Sequence, residues 1–97
     1  ELLQGKELGW HAYALEVRGV LLAELGRVDA GLQSLRDAVR VARAQGCVNH
    51  ELRASIALAR WLRREGHDDA ARAVLQPWDA LPATTVPLLV EAAMVSR

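Results

Sequence analysis

The chain has 97 residues, the size of one small domain, and its 12 basic residues balance 12 acidic ones. Zero net charge argues against a nucleic-acid binder, which usually carries a basic surplus, and no apolar run approaches the ~20 residues that span a bilayer. A hydrophobic fraction of 52% excludes a disordered chain and a single cysteine excludes an internal disulfide, so we expect a folded cytoplasmic domain.

Glycines at regular intervals divide the middle of the chain into blocks of about twenty residues; they are Gly26, Gly46 and Gly66. Within each block the apolar residues recur every three or four positions, as they do on one face of an α-helix. The spacing predicts three helices, over about 9–25, 28–45 and 48–65. Each should end at its glycine, and Asn49 is the expected N-cap of the third helix.

Prolines change the pattern in the last third of the chain. A fourth helix is predicted from about Asp68, and Pro77 should kink or end it because proline lacks a backbone N–H. A short fifth helix is predicted over about 85–96, where Pro87 is tolerated in the first turn. Most links are only two or three residues long, which forces consecutive helices to lie antiparallel.

Two parts of the chain match each other forty residues apart. The segment from Leu22 to Ala30 resembles that from Leu62 to Ala70 in its Leu, Gly, Asp and Ala positions. The same offset relates three further pairs: Gly19 with Ala59, Gly31 with Ala71, and Leu35 with Leu75. Small residues at these positions allow close helix packing, and the leucines at 22, 35, 62 and 75 should be buried. Each unit is a helix hairpin that needs a neighbour to cover its apolar face.

These positions resemble the tetratricopeptide repeat, although the period exceeds the family's usual 34 and leucine replaces its aromatic residues. One copy is matched by Gly19, Leu22, Gly26, Gly31, Leu35 and Ala38, and the next by Ala59, Leu62, Gly66, Ala71 and Leu75. The resemblance implies an all-α fold of antiparallel helix hairpins, stacked as a right-handed solenoid of about five helices. Residues 1–97 would form one domain, with repeats over about 9–46 and 48–81 and a capping helix over about 85–96.

A narrower resemblance concerns residues 51–66 and 70–77. They look like the last repeats of large bacterial regulators that join an ATPase and a tetratricopeptide array to a nucleotide cyclase or a helix-turn-helix domain. Trp10 and residues 15–19 are similar to the penultimate repeat. The resemblance implies a C-terminal scaffold module of a signalling or transcription regulator, which binds a protein, a peptide or another domain of the same polypeptide. No ATPase, cyclase or DNA-binding motif is present, so those activities do not carry over.

Catalytic and cofactor motifs are missing from the sequence. It has no phosphate-binding glycine loop, no metal-ligand spacing and no nucleophile–base pair, so we expect no cofactor, no metal and no enzymatic activity. The three histidines lie near predicted helix ends, where solvated or capping roles are common, and Cys47 is interpreted as an unreactive thiol in a turn. Trp78 should pack between helices, whereas Trp10 and Trp61 are candidate anchors for a partner.

A basic face on the third helix is the best candidate site. Its members recur at helical spacing: Arg53, Ile56, Arg60, Arg63 and Arg64. In the repeat family this side faces the inner, concave surface, where the first helix would add an acidic and apolar side made of Tyr13, Glu16, Val20 and Glu24. Either the acidic and basic stripes neutralise each other, or the surface binds an amphipathic helix or an extended acidic segment. A nucleic-acid-binding domain that uses the arginines is the alternative, which zero net charge disfavours.

The N-terminal segment carries its own expectation. The chain lacks an initiator methionine, which suggests a fragment of a longer protein. A hairpin cut from an array exposes the apolar flank that once met its neighbour, and Leu2, Leu3 and Leu8 fit such a flank. Two copies could cover it symmetrically, so a homodimer is a further expectation.

Overall fold

The computed structural model of the protein describes the backbone of residues 2–79 and the side chains of residues 10–79. Within that range the chain is helical and has no strand, so the predicted all-α class is confirmed. The elements of this part are α1 (Leu2–Glu24), α2 (Val28–Ala44), α3 (Val48–Arg64), α4 (Asp68–Leu75) and a 3-10 turn (Gln76–Trp78). None of the described helices is both long and apolar enough to cross a membrane. The predicted fifth helix, over about 85–96, lies outside the described residues.

The links between the described helices are built alike, each around a glycine. The backbone angle φ is 90° at Gly26, 71° at Gly46 and 84° at Gly66. This left-handed conformation costs a residue with a side chain more than it costs glycine. In the first link the Gly26 N–H donates to the Ala23 carbonyl and the Arg27 N–H to the Leu22 carbonyl. The turn therefore satisfies carbonyls at the end of α1, and the helices end one residue earlier than predicted.

The start of α3 differs from the prediction. The helix already begins at Val48, so Cys47 and not Asn49 occupies the N-cap position. Neither Cys47 nor the equivalent residues before α2 and α4, Arg27 and His67, makes a side-chain capping hydrogen bond. The three-residue glycine links, rather than capping side chains, set where these helices begin.

The helices α1 and α2 approach so closely that backbone meets backbone at two glycines. A β-carbon on Gly31 would lie 2.6 Å from the Gly19 carbonyl oxygen and 2.8 Å from the Ala23 nitrogen. A β-carbon on Gly19 would lie 2.7 Å from Leu35 Cγ and 2.8 Å from the Gly31 carbonyl oxygen. Non-bonded carbon atoms do not pack at such distances, so the helices can cross this closely only over glycine. The close helix contact predicted at these positions is confirmed.

The core lies between α2, α3 and α4, while α1 packs on α2 and lies beside α3. Leu35, Leu62 and Leu75 are at most 2% exposed, as predicted. Leu22 is only half-buried, so its predicted burial was wrong. Leu22 lines an open groove along α1, which leaves part of its side chain exposed to solvent.

The second hairpin, α3 with α4, buries small residues at the places equivalent to the two glycines. Ala59 and Ala71 are 0% and 1% exposed. α4 ends at Leu75, two residues before Pro77, and the chain continues as the 3-10 turn. Trp78 in that turn is half-buried and packs against the core, which confirms its predicted packing role. The 40-residue offset therefore relates buried positions in the two hairpins at Gly19 and Ala59, at Gly31 and Ala71, and at Leu35 and Leu75, but not at Leu22 and Leu62.

Candidate protein-interaction surface

The helix α1 has two apolar faces and buries only one of them. Its buried face is made of small residues, including Gly19 and Ala23, which bring α2 close. Its opposite face carries large apolar side chains that stay in water. Trp10 is 66% exposed, Leu21 56% and Leu25 77%. A single exposed leucine needs no explanation, whereas a contiguous row of such residues does.

This row is called the α1 stripe here and consists of Trp10, Tyr13, Val17, Leu21 and Leu25. Successive members are three or four residues apart, so they keep to one face along about 22 Å of helix. An aromatic side chain can bury ~150–250 Å², and valine and leucine bury less, so exposed fractions of 36–77% over the five residues give an apolar area on the order of 500 Å². The stripe lines an open groove of about 440 Å³. This area is comparable to the largest apolar patch on a typical monomer, and such patches often bind partners.

The helix α3 places three arginines on its exposed face. This arginine row consists of Arg53, Arg60 and Arg64, which all lie at the surface. Their spacings of seven and four residues keep them on one side of the helix, as predicted. The other side of α3 buries Leu52, Ser55 and Leu62 against the neighbouring helices.

Side-chain contacts join the stripe to the arginine row. Arg53 Nε lies 3.6 Å from Glu16 Oε1, and the rings of Tyr13 and His50 are 6.3 Å apart between centroids. Both contacts relate residues 37 positions apart, so α1 and α3 run side by side in the same direction. The stripe and the arginine row therefore border each other on one face of the molecule.

The Glu16–Arg53 pair reduces the negative charge on this face. The Glu16 side chain is only 13% exposed, and its Oε1 atom has no hydrogen-bond partner. At 3.6 Å the contact with the guanidinium is an ion pair and not a hydrogen bond, so the buried carboxylate oxygen is stabilised by charge alone. This pair agrees with the predicted neutralisation of acidic and basic stripes at one position, and Arg60 and Arg64 lie further along the same side of α3.

Arg64 of the arginine row and Arg18 on α1 lie at the borders of the surface. The Arg64 guanidinium lies 4.7 Å from the centre of the half-buried Trp61 ring, a cation–π contact that holds the arginine against α3. Arg18 lines the groove on the edge of the α1 stripe that faces away from α3. Positive charge thus stands on both sides of the stripe.

The predicted site residues divide into three groups. Four are exposed: Tyr13, Arg53, Arg60 and Arg64. Three are half-buried: Glu16, Val20 and Arg63. Ile56 is 3% exposed and belongs to the core, so it does not line the surface as the helical spacing predicts. Val20 also packs against the core.

Sequence reasoning missed three members of the α1 stripe, Val17, Leu21 and Leu25. The signal was present, because an apolar residue recurs every three or four positions from Trp10 onwards. It was overlooked because α1 also has a small-residue face, and periodicity alone does not tell which of two apolar faces is buried.

The histidines, the cysteine and the carboxylates are the groups that could bind a metal ion. In the part of the chain that the structure describes, no three His, Cys, Asp or Glu side chains are placed to hold a metal ion. His11 and His67 are exposed, and His50 packs half-buried against Tyr13. Cys47 is half-buried, with its thiol 4.0 Å from the Gln45 carbonyl. The absence of enzymatic activity stays a prediction.

Comparisons of the chain with protein-family models, with curated proteins and with solved structures returned no match.

Proposed function

We propose that the protein is an interaction module that binds a segment of another protein, or of its own polypeptide, on the face shared by α1 and α3. The observation that carries the proposal is the exposed α1 stripe bordered by the arginine row. Covering an apolar area on the order of 500 Å² would contribute on the order of 10 kcal/mol before the entropic costs of association. Those costs are of similar size, so the apolar area alone fixes no affinity, and we expect binding that is easily weakened when the apolar contact is disturbed.

The resemblance to tetratricopeptide repeats supports the same role. In that family helix hairpins stack into a right-handed solenoid whose surface binds partners and performs no chemistry. The narrower resemblance to the last repeats of bacterial regulators supports a cytoplasmic scaffold of a signalling or transcription regulator. The proposal is therefore a non-enzymatic role in which the module positions a partner.

A display experiment with random peptides tests the proposal without assuming a partner. The library is selected on the wild-type chain, and the enriched peptides are then measured against the Val17→Asp/Leu21→Asp variant. Both side chains are exposed, so the fold should survive, while a charge within the stripe should weaken binding about tenfold or more. Val48→Asp is the matched control, because Val48 is 58% exposed at the start of α3 and outside the stripe.

Two results would contradict the proposal. Either no peptide is enriched over repeated rounds, or the enriched peptides bind the wild type and the double variant equally well. Circular dichroism of each variant verifies that its helix content is unchanged.

The nucleic-acid alternative rests on one observation, the row of exposed arginines on α3. Arg53 already pairs with Glu16, and the row borders an apolar stripe instead of further cations. Fluorescence anisotropy of a labelled random DNA duplex, measured between about 50 and 200 mM salt, tests this alternative. Tight, steeply salt-dependent binding that Arg60→Glu/Arg64→Glu abolishes would favour nucleic acid over a protein partner.

A further inference from the structure

The chemistry of the α1 stripe restricts the backbone conformation of what covers it. Val17, Leu21 and Leu25 offer no hydrogen-bond donor or acceptor. An extended segment lying along them would remove its own N–H and C=O groups from water without replacing their hydrogen bonds, which is unfavourable. An α-helix satisfies its backbone internally and presents only side chains. The stripe therefore favours a helical partner segment over an extended one.

The shape of the stripe agrees with a helical occupant. It is straight, because it follows one helix, and its ~22 Å correspond to about fifteen residues, or four turns, of a second helix. The groove along it is open and lined by Ala14 and Leu22 as well as by members of the stripe. A small side chain between large ones provides the ridges and grooves into which a second helix packs at ~8–10 Å.

The charges beside the stripe define the edges of that helix. Arg18 borders one side, and the arginine row borders the other. Glu16 forms an ion pair with Arg53, so its negative charge repels an acidic partner only weakly. Glu24, near the end of α1, is an exposed acidic group on the same helix. Among the side chains of residues 10–79, the four arginines beside the stripe outnumber Glu16 and Glu24, so these described surroundings are net cationic. The complementary partner is an apolar helix face with acidic residues along both edges.

Resting on the proposed function, we infer that the α1 stripe binds an amphipathic α-helix of a partner protein whose edges carry Asp or Glu. Its apolar residues recur every three or four positions over about four turns. Its acidic edges meet Arg18 on one side and the arginine row on the other.

Three synthetic peptides of about eighteen residues test the inference against the full chain. The first has leucines at helical spacing, glutamates on both edges and capped termini. The second is identical except for a central Ala→Pro, which breaks the helix, and the third has lysine at every glutamate position. Affinity is measured by isothermal titration calorimetry, and circular dichroism records the helix formed on binding. We expect the acidic helix to bind, and the proline and lysine peptides to bind about tenfold more weakly or worse.

Charge-reversal variants of the protein test the same inference from the protein side. Arg60→Glu/Arg64→Glu should weaken binding of the acidic helix about tenfold and flatten its dependence on salt. Arg36→Glu/Arg40→Glu changes the net charge equally on the exposed side of α2 and should leave the affinity within about twofold. Unchanged helix content in both variants verifies that the fold is intact.

Each opposite result overturns the inference. Equal binding of the proline peptide would show an extended occupant, and equal binding of the lysine peptide would show that charge plays no part. If display-selected peptides bind the stripe but the acidic helix does not, the inference is wrong while the proposed function stands. If no displayed peptide binds at all, the proposed function itself has failed. The inference of a helical partner would also be overturned if a second copy of the chain covered the stripe and the peptide could not displace it.

Discussion

Replacing Gly31 by alanine should destabilise the fold, although alanine is the better helix former. In an unconstrained helix this exchange stabilises by about 0.5–1 kcal/mol. Here the added methyl would lie 2.6 Å from the Gly19 carbonyl oxygen, whereas ordinary van der Waals contact begins near 3.4 Å. Both neighbouring groups are backbone, so α1 must move away from α2 instead of a side chain turning aside.

The size of the effect follows from the opposing terms. Overpacking costs typically ~1–3 kcal/mol, and because the clash is with backbone atoms we take the upper part of that range, ~2–3 kcal/mol. Subtracting the gain of about 0.5–1 kcal/mol in helix propensity leaves a net loss of about 1–2.5 kcal/mol. For a chain of this size that corresponds to a melting temperature about 5–15 °C lower. Urea and thermal unfolding followed by circular dichroism measure both quantities. Ala30→Gly at the preceding, exposed position is the control for propensity alone. A Gly31→Ala variant as stable as the wild type would show that the helices do not meet backbone to backbone.

Two matched pairs of substitutions test the packing of the core. Leu35→Ala should lower the free energy of unfolding by ~2–5 kcal/mol because Leu35 is fully buried. Leu22→Ala should lower it clearly less because Leu22 is half-buried. Equal losses of the two variants in urea unfolding would contradict the difference in burial. Ser34→Ala should lower the free energy of unfolding by ~0.5–1.5 kcal/mol because the Ser34 hydroxyl donates to the Leu15 carbonyl of α1 at 2.8 Å. Ser55→Ala should be nearly neutral because the Ser55 hydroxyl donates to a carbonyl within its own helix. Equal effects of the two serine substitutions would show that the bond between α1 and α2 contributes nothing.

Helix positions and the close contact were predictable because each has a local cause. Gly26, Gly46 and Gly66 each interrupt apolar spacing, and positive φ at all three makes them turns. Gly19 and Gly31 were recognisable as contact points because small residues recur at both places forty residues later. Errors of one residue at helix ends arose because the turn, not the apolar pattern, determines where the last helical hydrogen bond forms.

The surface was less predictable because it depends on which neighbours surround each helix. Ile56 shares its side of α3 with Arg53 and Arg60, but a helix has no sharp boundary between its faces. Ile56 is therefore buried in the core, while the two arginines stay exposed. The helix α1 has more large apolar residues than its neighbouring helices can bury. The sequence cannot show that surplus, since burial of Val17 or Leu21 depends on elements distant along the chain.

Self-association stays a prediction, and the structure makes its dependence on salt testable. Leu2, Leu3 and Leu8 have side chains outside the described residues, whereas the α1 stripe offers a described apolar surface. An antiparallel pair that overlaps the whole stripe has its two-fold axis at the stripe's midpoint, between Val17 and Arg18. The two Arg18 guanidiniums then lie on the same edge near the axis and repel by about 0.5 kcal/mol at ~8 Å in water.

Added salt screens that repulsion, so dimers should tighten with salt, whereas binding of the acidic helix should weaken. Sedimentation equilibrium at about 50 and 500 mM salt measures the first effect, and Arg18→Gln should reduce it because the repelling charges nearest the axis are gone. Leu21→Asp, within the stripe, should prevent dimers at either salt concentration. A chain that is monomeric at millimolar concentration in both conditions would show that self-association is absent, which leaves the stripe to a partner. Dimers that weaken with salt would place a different, attractive surface at the interface.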